Sequence, residues 1–253
     1  MDRTKISGTP DKIKSPGLLA FCPGCHDGIV GRLMLEVVEE LGIGPRLAIV
    51  SGVTCATFLP VGFNLDAIIC CAHGRAPDVA TGLRRALGPH KVIFTIQGDG
   101  DCIAIGAGSL INAAQRGENF TIVMINNTNY GTTGGQMAPT TIPGQVTTTT
   151  PRGRDQSYGY PARVPELLAT MEGVVYAARG AVNTPANYQR AKKCFRTALE
   201  RQMEGRGLSF MEFLSACPPN WRLNPVECLK HIDDKLIPYY PLGEFKGGGR
   251  DQA

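Results

Sequence analysis

No stretch of this 253-residue chain approaches the roughly 20 consecutive apolar residues of a membrane span, which argues against a transmembrane helix. Met1 to Ala20 mixes Lys, Asp, Pro and Gly without the apolar core of a secretory leader. The expectation is a soluble, cytoplasmic protein with no membrane partner. The formal charge is only +4, and Lys and Arg are scattered without a basic run or interleaved aromatics, so nucleic acid is a poor partner. A phosphate-loop lysine and a Gly-x-Gly-x-x-Gly fingerprint are both missing, which weakens any nucleotide-binding reading. No internal repeat is visible. The nine cysteines are odd in number, and in an intracellular-looking chain they read as thiols or metal ligands rather than a disulfide framework.

What is present is a chain with 43% apolar residues, enough for a proper core. We read residues 1–253 as one domain with flexible ends at 1–15 and 246–253. Short, apolar, β-branched or aromatic runs alternate with helical patterns. Strands are predicted at Arg46–Val50, Ala67–Cys71, Lys91–Gln97, Phe120–Asn126, Gly173–Ala178 and Leu208–Leu214. Between Gly28 and Leu41, residues Ile29, Leu33, Met34, Val37, Val38 and Leu41 share one helical face, with Glu36, Glu39 and Glu40 turned to solvent. Crossover helices are predicted at Ala76–Leu87 and Ile103–Arg116. A third runs from Pro185 to about Met203, with Thr184 as N-cap and proline at the first helical position. The alternation predicts a doubly wound, mostly parallel α/β sheet with helices on both faces and ligands at the carboxyl ends of its strands.

Gly98-Asp99-Gly100 closes one of these strands, and Asn126-Asn127 closes the next. Asp99 and Asn127 lie 28 positions apart, room for one helix and one returning strand, so two hard oxygen ligands meet at neighbouring strand ends. That reads as a magnesium ion holding a diphosphate. Thr128 to Pro161 is crowded with Thr, Gly and Pro, and a loop of that length is read as functional. Its Asn129-Tyr130-Gly131-Thr132-Thr133-Gly134-Gly135-Gln136 run offers backbone that can approach a ligand closely, and Thr147 to Thr150 is expected to form a polar wall or an interface strip.

Cys22-Pro23-Gly24-Cys25 sets two thiols on a tight turn before a helix, whose amides are expected to lower the thiol pKa. Such a pair is compatible with zinc, an iron–sulfur cluster or a dithiol couple. Cys55 and Cys217 follow predicted strands at irregular backbone and are the best partners for it. Cys70, Cys71, Cys102, Cys194 and Cys228 read as core thiols.

In order and spacing, Cys22-Pro-Gly-Cys25, Ser51-Gly-Val-Thr-Cys55, His73-Gly-Arg-Ala76, Gly98-Asp-Gly-Asp101, Asn126-Asn127, Tyr130-Gly131, Thr133-Gly-Gly-Gln136 and Cys217-Pro218 make a nearly end-to-end pattern. With them, the chain resembles the thiamine-diphosphate-binding β subunits of the 2-oxoacid:ferredoxin oxidoreductases. Gln136-Met-Ala-Pro-Thr-Thr141, Gly153-Arg-Asp155 and Ile237-Pro-Tyr-Tyr-Pro-Leu-Gly243 make it most similar to the 2-ketoisovalerate branch. The resemblance implies that Asp99 and Asn127 hold magnesium by side-chain oxygens and Asn129 by its carbonyl. Gly98, Gly100 and Asp101 would lie against the diphosphate. His73, Gly74, Tyr130, Gly131 and Thr132 would contact the cofactor, with His73, Phe58 and Thr132 bordering the reacting centre. Cys22, Cys25, Cys55 and Cys217 would ligate a 4Fe-4S cluster.

The activity implied is coenzyme A-dependent oxidative decarboxylation of a 2-oxoacid, with electrons passed to ferredoxin. The implied partners are a pyrimidine-binding α subunit, which supplies the activating glutamate, and ferredoxin-like γ and δ subunits. Two departures stand out. Ala56-Thr57-Phe58-Leu59 occupies the place where relatives handling smaller or acidic oxoacids carry a basic residue, and an apolar Phe58 suits an aliphatic side chain. His26-Asp27 follows the second cysteine where many relatives have Gly or Thr. Competing readings are a non-redox thiamine enzyme of the acetolactate synthase or decarboxylase type and a zinc-stapled binding module.

Overall fold

The computed structural model describes residues 10–13, 21–70 and 72–248. Its nine strands are β1 (Leu47–Ser51), β2 (Ala67–Ile69), β3 (Val92–Gly98), β4 (Thr121–Asn126), β5 (Asn129–Tyr130), β6 (Gln136–Met137), β7 (Val174–Ala181), β8 (Leu208–Leu214) and β9 (Gly243–Lys246). Seven of them form one sheet in the order β2-β1-β3-β4-β8-β7-β9, and β5 and β6 form a separate antiparallel pair. Every neighbour in the large sheet is parallel except β9, which runs antiparallel to β7. The helices are α1 (Asp27–Glu40), α2 (Phe58–Gly62), α3 (Ala76–Leu87), α4 (Ala107–Gln115), α5 (Val164–Ala169), α6 (Pro185–Met203), α7 (Pro218–Trp221), α8 (Pro225–His231) and α9 (Ile237–Tyr239). None of the described helices is long and apolar enough to cross a membrane.

The sheet separates two apolar layers because successive side chains on a strand point to opposite faces. Phe94 and Ile96 of β3, with Val123 and Ile125 of β4, pack under α1 and α6 beside Leu33, Val37, Phe195 and Leu199. Ile93, Ile122 and Met124 face the other way, against Ala80 of α3, Leu110 of α4 and Leu168 of α5. The doubly wound expectation is borne out. Thr184 caps α6 as expected, its Oγ1 accepting the amide of Asn187 at 3.1 Å.

Several expectations are corrected. Strand β2 has only three residues, all exposed, at the edge of the sheet; Cys71 lies outside the described residues. The helix predicted from Ile103 is two pieces, a π-helical segment Gly100–Ile105 and then α4, broken at Gly106. Such wide turns gather at functional sites. Strand β7 runs past Ala178 through Arg179 to Ala181, since the Arg179 charge is met by Glu166 and Glu212. Glu36 and Glu40 are not simply solvated: Lys192 lies 2.8 Å from Glu36 and 2.7 Å from Glu40, and Arg196 also pairs with Glu40, so they stitch α1 to α6. Glu39 accepts the backbone amide of Lys12 at 3.0 Å. Of the ends expected to be flexible, 1–9 and 249–253 lie outside the described residues, whereas Lys246 ends β9 and its Nζ donates to the carbonyl of Met171 at 2.7 Å.

Candidate cofactor site

From β1 the chain turns to β2 on one side, whereas β3 and everything beyond it lie on the other. In such a sheet the crevice for a ligand opens at the carboxyl ends of the strands where the direction of winding reverses. Ser51 of β1 is in register with Ile96 of β3, so Gly52 to Cys55 and Gly98 to Gly100 leave the sheet side by side. A cleft of about 280 Å³ lies there, lined from β1 by Val53, Thr54 and Cys55, from β3 by Gly98 to Asp101, and from the loop after β4 by Asn127 and Asn129 to Thr133. Thr57, Phe58 and His73 complete its wall. Of the residues expected to hold the cofactor and the magnesium, all line this cleft except Gly74. The Gly74 amide instead donates to Asp101 Oδ1 at 2.8 Å.

The glycines of Gly98-Asp99-Gly100 are needed for close approach. A Cβ on Gly98 would meet Thr54 Oγ1 at 2.6 Å, and one on Gly100 would meet the Tyr130 ring at 2.1 Å. Between them, Asp99 accepts the Gly100 amide at 2.9 Å and the Thr140 hydroxyl. Burial, with Glu212 nearby, pushes its carboxyl up to about 7. Asp101 is a hub: its Oδ2 accepts from Gln97 Nε2 at 2.6 Å and its Oδ1 from the Val53 amide at 3.2 Å. His73 Nδ1 lies 2.5 Å from that same Oδ1, a close contact without hydrogen-bond alignment.

Asn127 and Asn129 share a tight turn. Thr128 between them has φ of 60°, a position that a β-branched residue adopts only under strain. Gln145 Nε2 bonds the Thr128 hydroxyl at 2.9 Å, Thr141 bonds its carbonyl at 2.6 Å, and Asn126 Oδ1 accepts its amide at 3.0 Å. Beneath the turn, Glu212 accepts from Asn126 at 2.6 Å and from Arg179 Nε at 2.7 Å. Arg179 reaches on to Glu166, and Tyr240 braces Thr140 by donating to its carbonyl at 2.7 Å. Sequence reasoning missed this floor, although a glutamate in the apolar run Leu208 to Leu214 was a signal, since carboxylates are almost never buried unpaired. Of the wall or interface strip expected at Thr147 to Thr150, the structure gives no wall of this cleft: Thr147 and Thr150 close a turn on each other at 2.6 Å and do not line it.

The cysteines gather at the mouth. Cys55 lines the cleft and its Sγ is 2.9 Å from the Thr132 hydroxyl. Cys217, at the start of α7, receives Asn220 Nδ2 at 3.2 Å. The turn from Cys22 to Cys25 seats Gly24, with φ of 77°, on Pro225. Asp27 ties it inward by bonding both Ser215 and Cys25. Cys217 and Cys55 lie near enough to Cys25, and Cys22 to Cys55, for their charges to bear on its ionisation. The expected lowering of thiol pKa is overturned for Cys25, where burial and then the Asp27 charge push the thiol well above its ordinary value. Burial likewise raises Cys55 and Cys217. Among the described residues no three His, Cys, Asp or Glu side chains are gathered as one ion's ligand shell. Cys70, Cys102 and Cys228 are buried, and Cys194 is half-buried.

Residues 54–213 match the family model described as thiamine pyrophosphate enzyme, C-terminal TPP binding domain. The chain is 33% identical over 216 residues to the 2-oxoglutarate synthase subunit KorB of Archaeoglobus fulgidus, covering 85% of this chain and 76% of that protein. It belongs to the thiamine-diphosphate-binding β subunits of the 2-oxoacid:ferredoxin oxidoreductases. The match to the ketoisovalerate oxidoreductase subunit VorA of Methanothermobacter thermautotrophicus is 40% over 233 residues, 92% of this chain and 48% of that protein. The chain thus spans about half the length of the first curated relatives it matches. A solved 2-oxoglutarate:ferredoxin oxidoreductase from Magnetococcus marinus, with 2-oxoglutarate, coenzyme A and succinyl-CoA bound, superposes with a TM-score of 0.79 at 24% identity, over 99% of this chain and 88% of that one, and so shares the fold.

The donor set of the β subunit fits its family's cofactors. Asp99 and Asp101 line a cleft that has neither Lys nor Arg among its described lining residues, so a diphosphate bound against these carboxylates would need a cation, and Asp99, Asn127 and Asn129 offer the hard oxygens. Beside two of the four thiols, Asn220 donates to Cys217, and the Thr132 hydroxyl, able to give or accept, lies against Cys55, a setting suited to sulfur that carries negative charge.

Proposed function

We propose that this chain is the thiamine-diphosphate and iron–sulfur subunit of a cytoplasmic enzyme that carries out coenzyme A-dependent oxidative decarboxylation of a branched-chain 2-oxoacid, 2-ketoisovalerate, with electrons passed to ferredoxin. The observation that carries the reading is that Cys55 lines the same cleft as Asp99, Asn127 and Asn129, so redox sulfur and diphosphate site share one wall. When bound, thiamine diphosphate supplies the carbon nucleophile and electron sink for decarboxylation, and a 4Fe-4S cluster on Cys22, Cys25, Cys55 and Cys217 accepts single electrons.

The chain's own residues do the rest. Asp99, Asn127 and the carbonyl of Asn129 would hold magnesium, and the amides that open the Gly100–Ile105 turn would serve the diphosphate. Tyr130 lies on Gly100 and closes one side of the cleft. His73, held against Asp101, and Thr132, against Cys55, border the reacting centre. Phe58 is 51% exposed at the rim, where it offers an aliphatic substrate an apolar contact and an acidic substrate no countercharge. The cleft has no glutamate among its lining residues, which supports a partner subunit that brings the pyrimidine-activating acid. The assembly proposed is a pyrimidine-binding α subunit with ferredoxin-like γ and δ subunits.

The test is dye reduction by the purified native complex with 2-ketoisovalerate, pyruvate and 2-oxoglutarate, coenzyme A present. The expected result is fastest turnover of 2-ketoisovalerate; equal rates would overturn the substrate assignment. Iron and acid-labile sulfide near four each per chain support the cluster. Their absence from active protein would favour a non-redox thiamine enzyme instead.

A further inference from the structure

We infer that Asn220 is the positioning residue that couples the cluster to the cofactor-binding loop, setting the cluster potential through Cys217 and the loop geometry through Asn129 and Gly131. This rests on the function proposed above and adds a residue to it. Asn220 Nδ2 has three acceptors in reach: Cys217 Sγ at 3.2 Å, the Gly131 carbonyl at 3.1 Å and Asn129 Oδ1 at 3.3 Å. An amide nitrogen carries two protons, so they are shared among one sulfur and two oxygens of the opposing loop. The next residue repeats the link, Trp221 Nε1 donating to the Asn127 carbonyl at 3.0 Å. The four-residue helix α7 therefore acts as a strut, its first turn on the fourth cysteine and its side chains on the turn that carries the magnesium ligands.

Asn220 fits where it is because Gly135 makes room. With φ of 78°, Gly135 brings its backbone so close that a Cβ there would meet the Asn220 amide carbon at 2.9 Å. Asn112, by contrast, bonds within its own helix, donating to the Gly108 carbonyl on α4. An N–H donor on a cluster thiolate withdraws electron density and stabilises the reduced, more negative cluster, so it raises the reduction potential. The same donor holds Asn129 and Gly131 in place, so its loss also loosens the cofactor loop. A residue serving only the fold would move neither quantity.

The experiment uses the native complex carrying Asn220→Ala, with Asn112→Ala as a truncation of the same chemistry elsewhere. The cluster midpoint is read by redox titration monitored by electron paramagnetic resonance, and affinity for thiamine diphosphate with magnesium by calorimetry. Asn220→Ala is expected to retain iron and sulfide, to disfavour reduction by roughly two- to tenfold, and to bind the cofactor several-fold more weakly. A tenfold change corresponds to about 59 mV for one electron. Asn112→Ala is expected to match wild type in both. Wild-type potential and affinity in Asn220→Ala overturn the proposal. If that variant loses its cluster, the isosteric Asn220→Asp, which keeps the fit against Gly135, carries the test: a carboxylate beside the sulfur must lower the potential further, and an unchanged value overturns it. Wild-type complex without iron or sulfide would instead overturn the function on which this rests.

Discussion

The floor and the mouth of the cleft are held by different forces. On the floor, Asn126, Thr128, Asp99, Glu212 and Arg179 are all at most 2% exposed, and each polar group meets a partner from another element. At the mouth, Cys22 is exposed, Cys25 and Cys55 are half-buried, and Phe58 faces solvent. The floor is complete within the chain. At the mouth each contact is local: Asp27 bonds Cys25, Thr132 lies against Cys55 and Asn220 donates to Cys217. A buried, fully partnered network resists change, whereas a half-open rim can adapt to a cofactor, a substrate and a neighbouring subunit. Substitutions that spare one region and damage the other separate these roles.

The largest effect is expected from Glu212→Ala. It leaves Arg179, a fully buried guanidinium, with only the partly exposed Glu166 as counterion, and it unpairs Asn126. Breaking such a pair costs about 3–5 kcal/mol. Chemical denaturation of the chain should show that loss, with Glu212→Gln retaining much of the stability. A cost below about 1 kcal/mol for the alanine variant would mean that the floor is not preorganised by this pair. Asp99→Asn should behave oppositely, with stability without cofactor kept or improved, because burial already disfavours the charged carboxylate. Magnesium-dependent thiamine diphosphate affinity should fall by at least about 100-fold, the upper end of losses seen for outer partners of a metal site. Calorimetry reads both, and undiminished affinity would remove Asp99 from the site.

The floor and mouth also differ in how far they could be read from the chain. Gly98-Asp99-Gly100 and Asn126-Asn127 were legible because their chemistry sits directly at strand ends, and strand ends are set by apolar runs that any reader can find. The cysteines were legible by turn context. Arg179 and Glu212 were not, because each is a charge inside a strand and becomes tolerable only when the other arrives from the neighbouring strand in register. Asn220 was hidden for a similar reason: its partners are 89 and 91 positions away. The segment from Pro218 to Lys246 has no sustained period, since its helices are short and each carries a proline at its first or second position, so neither α7 to α9 nor the antiparallel edge strand β9 was foreseen. Thiol pKa was misjudged because helix amides were weighed and burial with Asp27 was not.

At the mouth, Gly24→Ala should cost about 1–3 kcal/mol, since alanine is strained at a φ of 77° and its Cβ would lie 2.6 Å from Pro225. The loss should appear as faster iron release on warming, with thiamine diphosphate affinity near wild type. Equal weakening of both would show that the turn supports the floor as well.

The smallest effect on stability and the sharpest on selectivity belong to Phe58. Truncating a side chain that is half in solvent removes little buried area, so Phe58→Ala should change unfolding free energy by no more than about 0.5 kcal/mol. Its ring nonetheless lines the cleft, and losing an apolar contact of that size is worth about 1–3 kcal/mol in discrimination, or roughly 10- to 200-fold in relative kcat/KM for an aliphatic against an acidic 2-oxoacid. Phe58→Arg should go further by supplying the countercharge that the rim lacks. Selectivity measured in the complex that did not move with either variant would mean that side-chain recognition lies on the partner subunit, and the rim of this chain would then govern access rather than choice.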